Sequence, residues 1–564
     1  MTKHLSFLCF FFFVSCSSFS QEISSFISEF GFGSSLLDSG TDIAFDSDGN
    51  ILIYGFFDED ADFDLTADEM ILSPLGSPDL FLAKYSNSGE LDWVINLGRI
   101  GLIDGVLNGE MAIDSDDNII VSGSFTSTVN FNPLGESAAN TAEGAEDAFI
   151  AKYSPEGELS WFNKIGGIST DIGTALAVNA DNSLALGLRF TGNIDVDPGD
   201  NEVILTNDGA TDAAVVKFDE NGNYSSSLKI ASPENDNITE ISFAPDGKIA
   251  IGSTVNGAVN GLPDRNMQLS FHQPDGTLLW IHNFSNYDDA NEISEILFSQ
   301  VDLSLFVGGR INGTTDFNPE LDAEEIIDPV FADPFIAKYN LSGELDWAKN
   351  ISSSGTNDYL SGMALAGSTL FTLGAFDIEA TFVSGDLSTQ RQSVGGQDLF
   401  IAAYDFESGN FTDADVYGGV GDEFARSSFF QDAGTLLCTG SYTNGLNLDP
   451  EGESIANLGF TDVFFAEFSF QTDLSDELDQ SALDRAKVFP NPVSEIMYVQ
   501  MPKSIPDNQL EYKIINVVGQ DVKRGNVNLD IESFKIDVSD LTKGVFILEL
   551  ISGTQKVSKR IVKH

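Results

Sequence analysis

Cysteine is nearly absent from this chain: three in 564 residues, at positions 9, 16 and 438. Cys9 and Cys16 fall in an N-terminal apolar segment. A chain that has shed that segment keeps only Cys438, which excludes a disulfide framework and any cysteine-based metal site. Histidine is almost as scarce. Of four, His4 lies in the same segment and His564 ends the chain, which leaves His272 and His282. Ser-His-Asp, Cys-His and HExxH chemistry therefore lack their residues, and His282, two residues after Trp280 on a predicted strand, reads as a packed or surface side chain and not as a ligand. Basic residues number 27 against 88 acidic, a formal net charge of −61. That balance repels nucleic acid and anionic membranes and favours cations or cationic partners. Long apolar runs are missing too, with one exception. Leu5 to Val14 (LSFLCFFFFV) follows Lys3 and precedes the small residues Ser18 and Ser20. It reads as a signal peptide over 1–20, cut before Gln21, and is too short to stay as a transmembrane helix. The rival reading is a lipoprotein acylated on Cys16, against which Phe13 stands where leucine is usual. No transmembrane segment is expected after it, and a monomer is expected.

What is present is a repeat. Asp147 to Trp161 reads DAFIAKYSPEGELSW, with close copies at Asp79–Trp93 (DLFLAKYSNSGELDW) and Asp333–Trp347 (DPFIAKYNLSGELDW) and a worn one ending at Trp280. All four tryptophans thus share one position in one unit. The Asp-to-aromatic anchor recurs from Asp79, Asp147, Asp212, Asp333, Asp398 and Asp462, with a degenerate copy at Asn266–His272, at spacings of 68, 65, 54, 67, 65 and 64 residues. A fixed period of this kind signals a propeller or a solenoid. Ahead of each anchor comes an apolar stretch, a tight Asp/Asn/Gly turn and a second apolar stretch: IAFDSDGNILIYG from Ile43, MAIDSDDNIIVSG from Met111, ISFAPDGKIAIG from Ile241. These are hairpins. With the anchor strand and the Trp strand they make four strands per unit, a propeller blade.

The seventh unit has its hairpin (Arg426–Gly440) and its anchor strand (Asp462–Phe468) and then runs out. SSFISEFGFG (Ser24–Gly33), ahead of the first hairpin, is like the Trp-strand end LDWVINLG at Leu91–Gly98. The predicted fold is therefore all-β: a seven-bladed β-propeller over 21–470 whose N-terminal strand completes blade seven, a closure that removes the exposed edges. The repeat resembles the bacterial seven-bladed propeller repeat called SBBP. It departs from that pattern at Asn266–His272, and blades three, six and seven lack the tryptophan.

Residues 471–487 (QTDLSDELDQSALDRAK) read as an acidic linker, and 488–564 as a small β-sandwich of alternating strands. That tail holds ten Lys/Arg and nine Asp/Glu, against 17 and 79 in the rest of the chain. VFPNPVSE, YKIINVVGQDV, IDVSDLTKGVFILEL and the ending VSKRIVKH resemble the type A C-terminal sorting domain of the type IX secretion system. The resemblance carries over to Phe489, Pro490, Asn491, Pro492, Gly519, Gly544 and Lys563 as the sorting signal. It implies export across a Bacteroidota-type outer membrane by the type IX machinery, to the medium or the cell surface.

Two further features bear on function. Between the second and third strands recur Asp62-Phe-Asp64, Asn130-Phe-Asn132, Asp195-Val-Asp197, Asp316-Phe-Asn318 and Asn447-Leu-Asp449. One reading is a turn with Asx caps and an inward anchor. The other is calcium, held by these oxygens with further acids such as Asp68, Glu136, Asp200 or Glu451. The blade-to-blade connections also carry acids and amides, among them Asp171, Asn237, Asp288, Asp289, Asp358, Asp422 and Glu423. Long polar loops on one face predict an acidic binding surface for an extracellular protein or glycan. The expected function is a non-catalytic binding or adhesion module. The alternative is a carboxylate-dependent glycan-active enzyme, whose mark would be acids converging on one shared pocket.

Overall fold

The computed structural model describes residues 24–470 and 487–563. Outside the description in the first span are 67–68, 77, 100–108, 257–264, 286–290, 301, 320–325, 328, 330, 357, 385–386, 432–433 and 450–453; in the second span they are 490–492, 494–495, 501–508, 517–519, 529–532, 540 and 553–554. The expected signal peptide, Cys16 and most of the expected linker therefore lie outside the described residues. The chain divides into two compact units, Met1–Phe470 and Gln471–His564. No helix among the described residues is long and apolar enough to cross a membrane.

The first unit is all-β and propeller-like. Among the described residues it holds six four-stranded antiparallel sheets and one of five. The first sheet joins Ser39–Phe45, Ile51–Phe57, Asp79–Tyr85 and Leu91–Arg99 in chain order. Sheets two to six repeat this, their first strands starting at Gly109, Asp171, Asp236, Glu292 and Tyr359. In sheet six the second and third strands run on as a long hairpin, Thr369–Ser384 and Leu387–Asp405, which replaces the loop motif of its neighbours. The seventh sheet takes Glu423–Gln431, Thr435–Tyr442 and Asp462–Phe470, and its fourth strand is Ser24–Phe32 from the start of the chain. The first strand of each sheet packs on that of the next, and that of the seventh on that of the first.

Local chemistry explains the unit. In the first hairpin Asp46 Oδ1 accepts the amides of Asp48 (3.1 Å) and Asn50 (2.8 Å), while Gly49 takes φ 81°, where glycine carries no Cβ penalty. Lys84 of the anchor strand pairs with Asp46 at 2.8 Å, and Lys152 with Asp114 at 2.6 Å one sheet on. The anchor strands of sheets one, two and five are almost wholly buried, and the tyrosine of each donates to the carbonyl of the loop aromatic: Tyr85 to Phe63 at 3.0 Å, Tyr153 to Phe131 at 2.8 Å, Tyr339 to Phe317 at 2.9 Å. The tryptophans join neighbours. A Cβ at Gly157 would stand 3.1 Å from the Trp93 ring, and Gly222 and Gly343 stand in the same way over Trp161 and Trp280 of the preceding sheet. Phe30 of the N-terminal strand meets Gly89 of sheet one likewise, at 3.2 Å. It takes the place in the seventh sheet that an indole takes elsewhere.

The second unit has two sheets. Lys487–Phe489, Ile496–Gln500 and Ser533–Asp537 form one; Asp521–Asn528, Gln509–Asn516, Gly544–Ser552 and Gln555–Lys563 form the other. They share a core that includes Met497, Val499, Ile514, Ile536, Leu548 and Ile561. Of the residues expected as the sorting signal, Phe489 pairs with Tyr498, and Gly544 pairs with Lys563, which also bridges Val493. Pro490, Asn491, Pro492 and Gly519 lie outside the described residues.

Candidate functional site

The recurring loop motif is committed to the backbone. Asp62 Oδ1 accepts the amides of Asp64 (3.1 Å) and Met70 (2.8 Å). Asn130 Oδ1 does the same for Asn132 (3.2 Å) and Ala138 (2.8 Å), and Asp195 Oδ1 for Asp197 (3.1 Å) and Val203 (2.9 Å). Asp316 Oδ1 accepts from Asn318 at 2.9 Å, and Asn447 and Asp449 flank Leu448, whose amide donates to Glu29 Oε2 at 2.8 Å. Phe63, Phe131, Val196, Phe317 and Leu448 between the Asx residues are all buried. This is the arrangement of an Asx-capped turn with an inward anchor. Among the described residues no three acids, histidines or cysteines gather as a metal cage, and one capped oxygen pair per loop falls short of calcium's six to eight ligands. Asp68 and Glu451, named as further ligands, lie outside the described residues, and the described donors alone do not make up that set.

The acids expected on the surface connections are partly elsewhere. Asp171, Asp358 and Glu423 are buried, and each lies beside the anchor acid of the preceding sheet: Asp147, Asp333 and Asp398. Asp236 beside Asp212 and Asp38 beside Asp462 complete the pattern. Each member caps a loop; Asp147 accepts the amides of Glu143 (2.8 Å) and Gly144 (3.1 Å), and Asp171 that of Gly167 (2.6 Å). Burial, then a like charge alongside, pushes Asp171 up to about 7 and Glu423 to about 8. Asp288 and Asp289 lie outside the described residues. His272 and His282 are buried and hydrogen-bonded, His272 to Ser270 at 2.9 Å and His282 to the Gly343 carbonyl at 2.6 Å. Both are packed side chains.

A second set of acids converges where the innermost strands meet. Asp42, Glu110, Glu240 and Glu295 sit on the first strands of sheets one, two, four and five, each opposite the fourth residue of the second strand: Tyr54, Ser122, Gly252 and Gly308. In sheets three, six and seven the residue at the same place after a strand bulge is Ala175, Gly362 and Ser427. Just before it the first strand bulges by one residue, which is Thr41, Thr174, Thr239, Ser294, Ser361 or Arg426. The four carboxyls come from separated sheets yet lie within electrostatic reach of one another. Burial first, then Asp42 and Glu295, pushes Glu110 well above the carboxylate range. Burial and the other three do the same to Glu240. Glu295 is driven to about 8 by burial and Asp42. Asp42 rises only to about 6, because burial is opposed by donors from two neighbouring sheets, Ser427 Oγ at 2.5 Å and the Met111 amide at 2.7 Å. The hydroxyls of Thr174 and Ser361, in two sheets lacking the acid, are buried without a partner. Chemically this is an acceptor-rich centre in which ionised and protonated carboxyls coexist near neutrality.

Residues 487–564 match the family described as secretion system C-terminal sorting domain. The chain carries a type IX sorting tail. It is therefore an exported protein, secreted or held at the cell surface. Among curated proteins it is 26% identical over 190 residues to the regulatory protein FlaEY of Caulobacter vibrioides, covering 32% of this chain and 19% of that one. It is 25% identical over 219 residues to an uncharacterized WD repeat-containing protein of Acanthamoeba polyphaga mimivirus, covering 34% and 16%. The aligned regions span less than a fifth of either relative. Among solved structures, the polysaccharide lyase Uly1 is 11% identical with TM-score 0.41, over 81% of this chain and 94% of that one. A PL25 ulvan lyase is 10% identical with TM-score 0.40, over 77% and 97%. A quinohemoprotein alcohol dehydrogenase from Pseudomonas putida is 9% identical with TM-score 0.35, over 78% and 76%. At such scores these likenesses carry nothing about activity.

Proposed function

We propose that residues 21–470 of this exported protein form a seven-bladed, SBBP-type β-propeller closed by its N-terminal strand. A linker over 471–487 then joins it to a β-sandwich over 488–564 that serves export from a Bacteroidota-type cell. In this reading the propeller is a non-catalytic binding module for an extracellular protein or glycan. The observation that carries it is the convergence of Asp42, Glu110, Glu240 and Glu295 at the innermost strands. Such a centre sets protonated carboxyls, which donate, beside the more acidic Asp42, which accepts, so it suits a ligand that offers both kinds of group, such as a run of sugar hydroxyls. The variant E110Q/E240Q/E295Q keeps the shapes and replaces three titratable carboxyls with amides. Against arrays of polysaccharides and of cationic peptides, it should lose the wild-type protein's hits by about tenfold or more while melting no lower, because an amide has no ionisation cost in a buried site. A wild-type binding profile in that variant would overturn the reading.

The same convergence supports a second reading, a glycan-active enzyme. A protonated carboxyl at Glu295 and a more acidic one at Asp42 are the division of labour that carboxylate catalysis uses. Release of reducing ends or unsaturated uronates from any polysaccharide, abolished in Glu295→Gln, decides for it; binding without turnover decides against it.

A further inference from the structure

A cavity of about 330 Å³ opens at the seam where the N-terminal strand meets sheet one. Three carboxylates line it: Glu29 from that strand, and Asp62 and Asp64 from the first loop motif. Phe30, Phe32 and Leu65 supply apolar wall, joined by Ile455 and Leu458 from the last loop. The wall is stiff. Phe30 stacks on Phe465 with centroids 4.8 Å apart, and Phe32 packs on Phe63 at 4.9 Å. Behind Gly33, where a Cβ would stand 2.5 Å away, is the fully buried Asp462 Oδ1, which has no hydrogen-bond partner. No lysine or arginine among the described residues pairs with Glu29, Asp62 or Asp64. Glu29 Oε2 accepts the Leu448 amide of the last loop at 2.8 Å and lies beside Asp449, while Asp62 and Asp64 cap the first loop.

We propose that this seam cavity binds the side chain of a lysine or arginine presented by a partner protein. The aliphatic stem would lie along Phe30 and Leu65, and the charged head would meet Glu29, Asp62 and Asp64. The walls suit this because basic side chains bury their methylenes while the head seeks acceptors, and aromatic faces attract cations. Burial already pushes the Glu29 carboxyl up, with Asp449 adding to it, so a cation would relieve a group held at a cost. The site is distinct from the central carboxylates and does not depend on them.

The probe is a short blocked peptide with one arginine, Ac-Gly-Arg-Gly-amide, against its neutral citrulline twin, measured by calorimetry on the whole chain lacking its signal peptide. The arginine peptide should bind, and D62N/D64N should weaken it by about tenfold or more. Folding of that variant is expected because sheet two carries asparagine at both positions and Asn130 holds the same cap there as Asp62. One control separates a site from the general pull of a highly acidic protein: D195N/D197N, the matching pair on sheet three, should bind like wild type. Equal binding of the citrulline peptide, or equal weakening by D195N/D197N, would overturn the proposal, as would undiminished binding by D62N/D64N.

Discussion

A chain cut back to begin at Ser34 should not fold to a stable monomer. The strand Ser24–Phe32 is the outer partner of Asp462–Phe470, registered from Ser24 opposite Phe470 to Phe32 opposite Val463. Removing it uncovers the backbone edge of that anchor strand, an invitation to intermolecular pairing. It also strips Phe32, 5% exposed, from among Phe63, Phe81 and Tyr85, at centroid distances of 4.9, 5.9 and 6.4 Å. Phe32→Ala alone should cost about 3–5 kcal/mol. Loss of the whole strand should exceed that and appear as aggregation, or as a chain that remains a monomer but exposes apolar surface. Size-exclusion chromatography with dye binding reads both outcomes. A monomeric truncated chain melting within a few degrees of the full one would show that the strand is an accessory.

The second large effect is on pH. Asp38, Asp42, Asp236, Asp358 and Asp398 are held at about 6, Asp171 at about 7, and Glu295 and Glu423 at about 8, burial being the first cause in each. In the unfolded chain these groups return to ordinary carboxylate values near 4. Between the two values the folded chain holds protons that the unfolded chain has released, so stability falls as pH rises. For Asp38 the difference is on the order of 3 kcal/mol. Working the other way, Asp302 is held at about 2: burial raises it, but hydrogen bonds from Ser304 and Ser299 and the charge of Lys338 outweigh that. Groups of this kind lose their contribution only when pH drops below the ordinary range. The melting temperature should therefore peak near pH 4–5 and fall by roughly 10 °C or more by pH 8, measured in chelator so that stray cations do not neutralise the acids. A flat or rising profile between pH 5 and 8 would contradict the burial of these carboxyls.

Much of this architecture was legible because the repeat writes it several times over. The turn Asp/Asn/Gly residues, the anchor Asp-to-Tyr strand and the Trp strand each occupy their expected strand or turn. The end of the seventh unit at Phe470 pointed to a partner elsewhere, and Ser24–Phe32 is that partner. The central acids were harder to see, since they follow no repeat: Asp42, Glu110, Glu240 and Glu295 stand at the strand position that Ala175, Gly362 and Ser427 take in other sheets. Each immediately precedes the first apolar residue of its hairpin, Ile43, Met111, Ile241 and Ile296, so a signal was there at the boundary of the pattern. The connection acids misled for a different reason. A carboxylate that caps a buried loop has the same sequence neighbourhood as one facing solvent, and only the packing of one sheet on the next separates Asp171 from an exposed aspartate. The seam cavity lay beyond sequence reasoning, because it joins residues near 30, 63 and 456.

The most direct test of closure is a covalent staple. Ser28 and Glu467 stand opposite each other in the seventh sheet, their side chains 3.5 Å apart. The variant S28C/E467C, with buried Cys438 the one other cysteine among the described residues, should oxidise to an intramolecular disulfide that encircles almost the whole propeller. It should migrate faster on a non-reducing gel, and oxidation should raise the melting temperature, since closing so long a loop is worth roughly 5 kcal/mol. Two free thiols at positions 28 and 467 in the folded, oxidised preparation, or a disulfide that forms only between chains, would contradict a ring closed by its N-terminal strand.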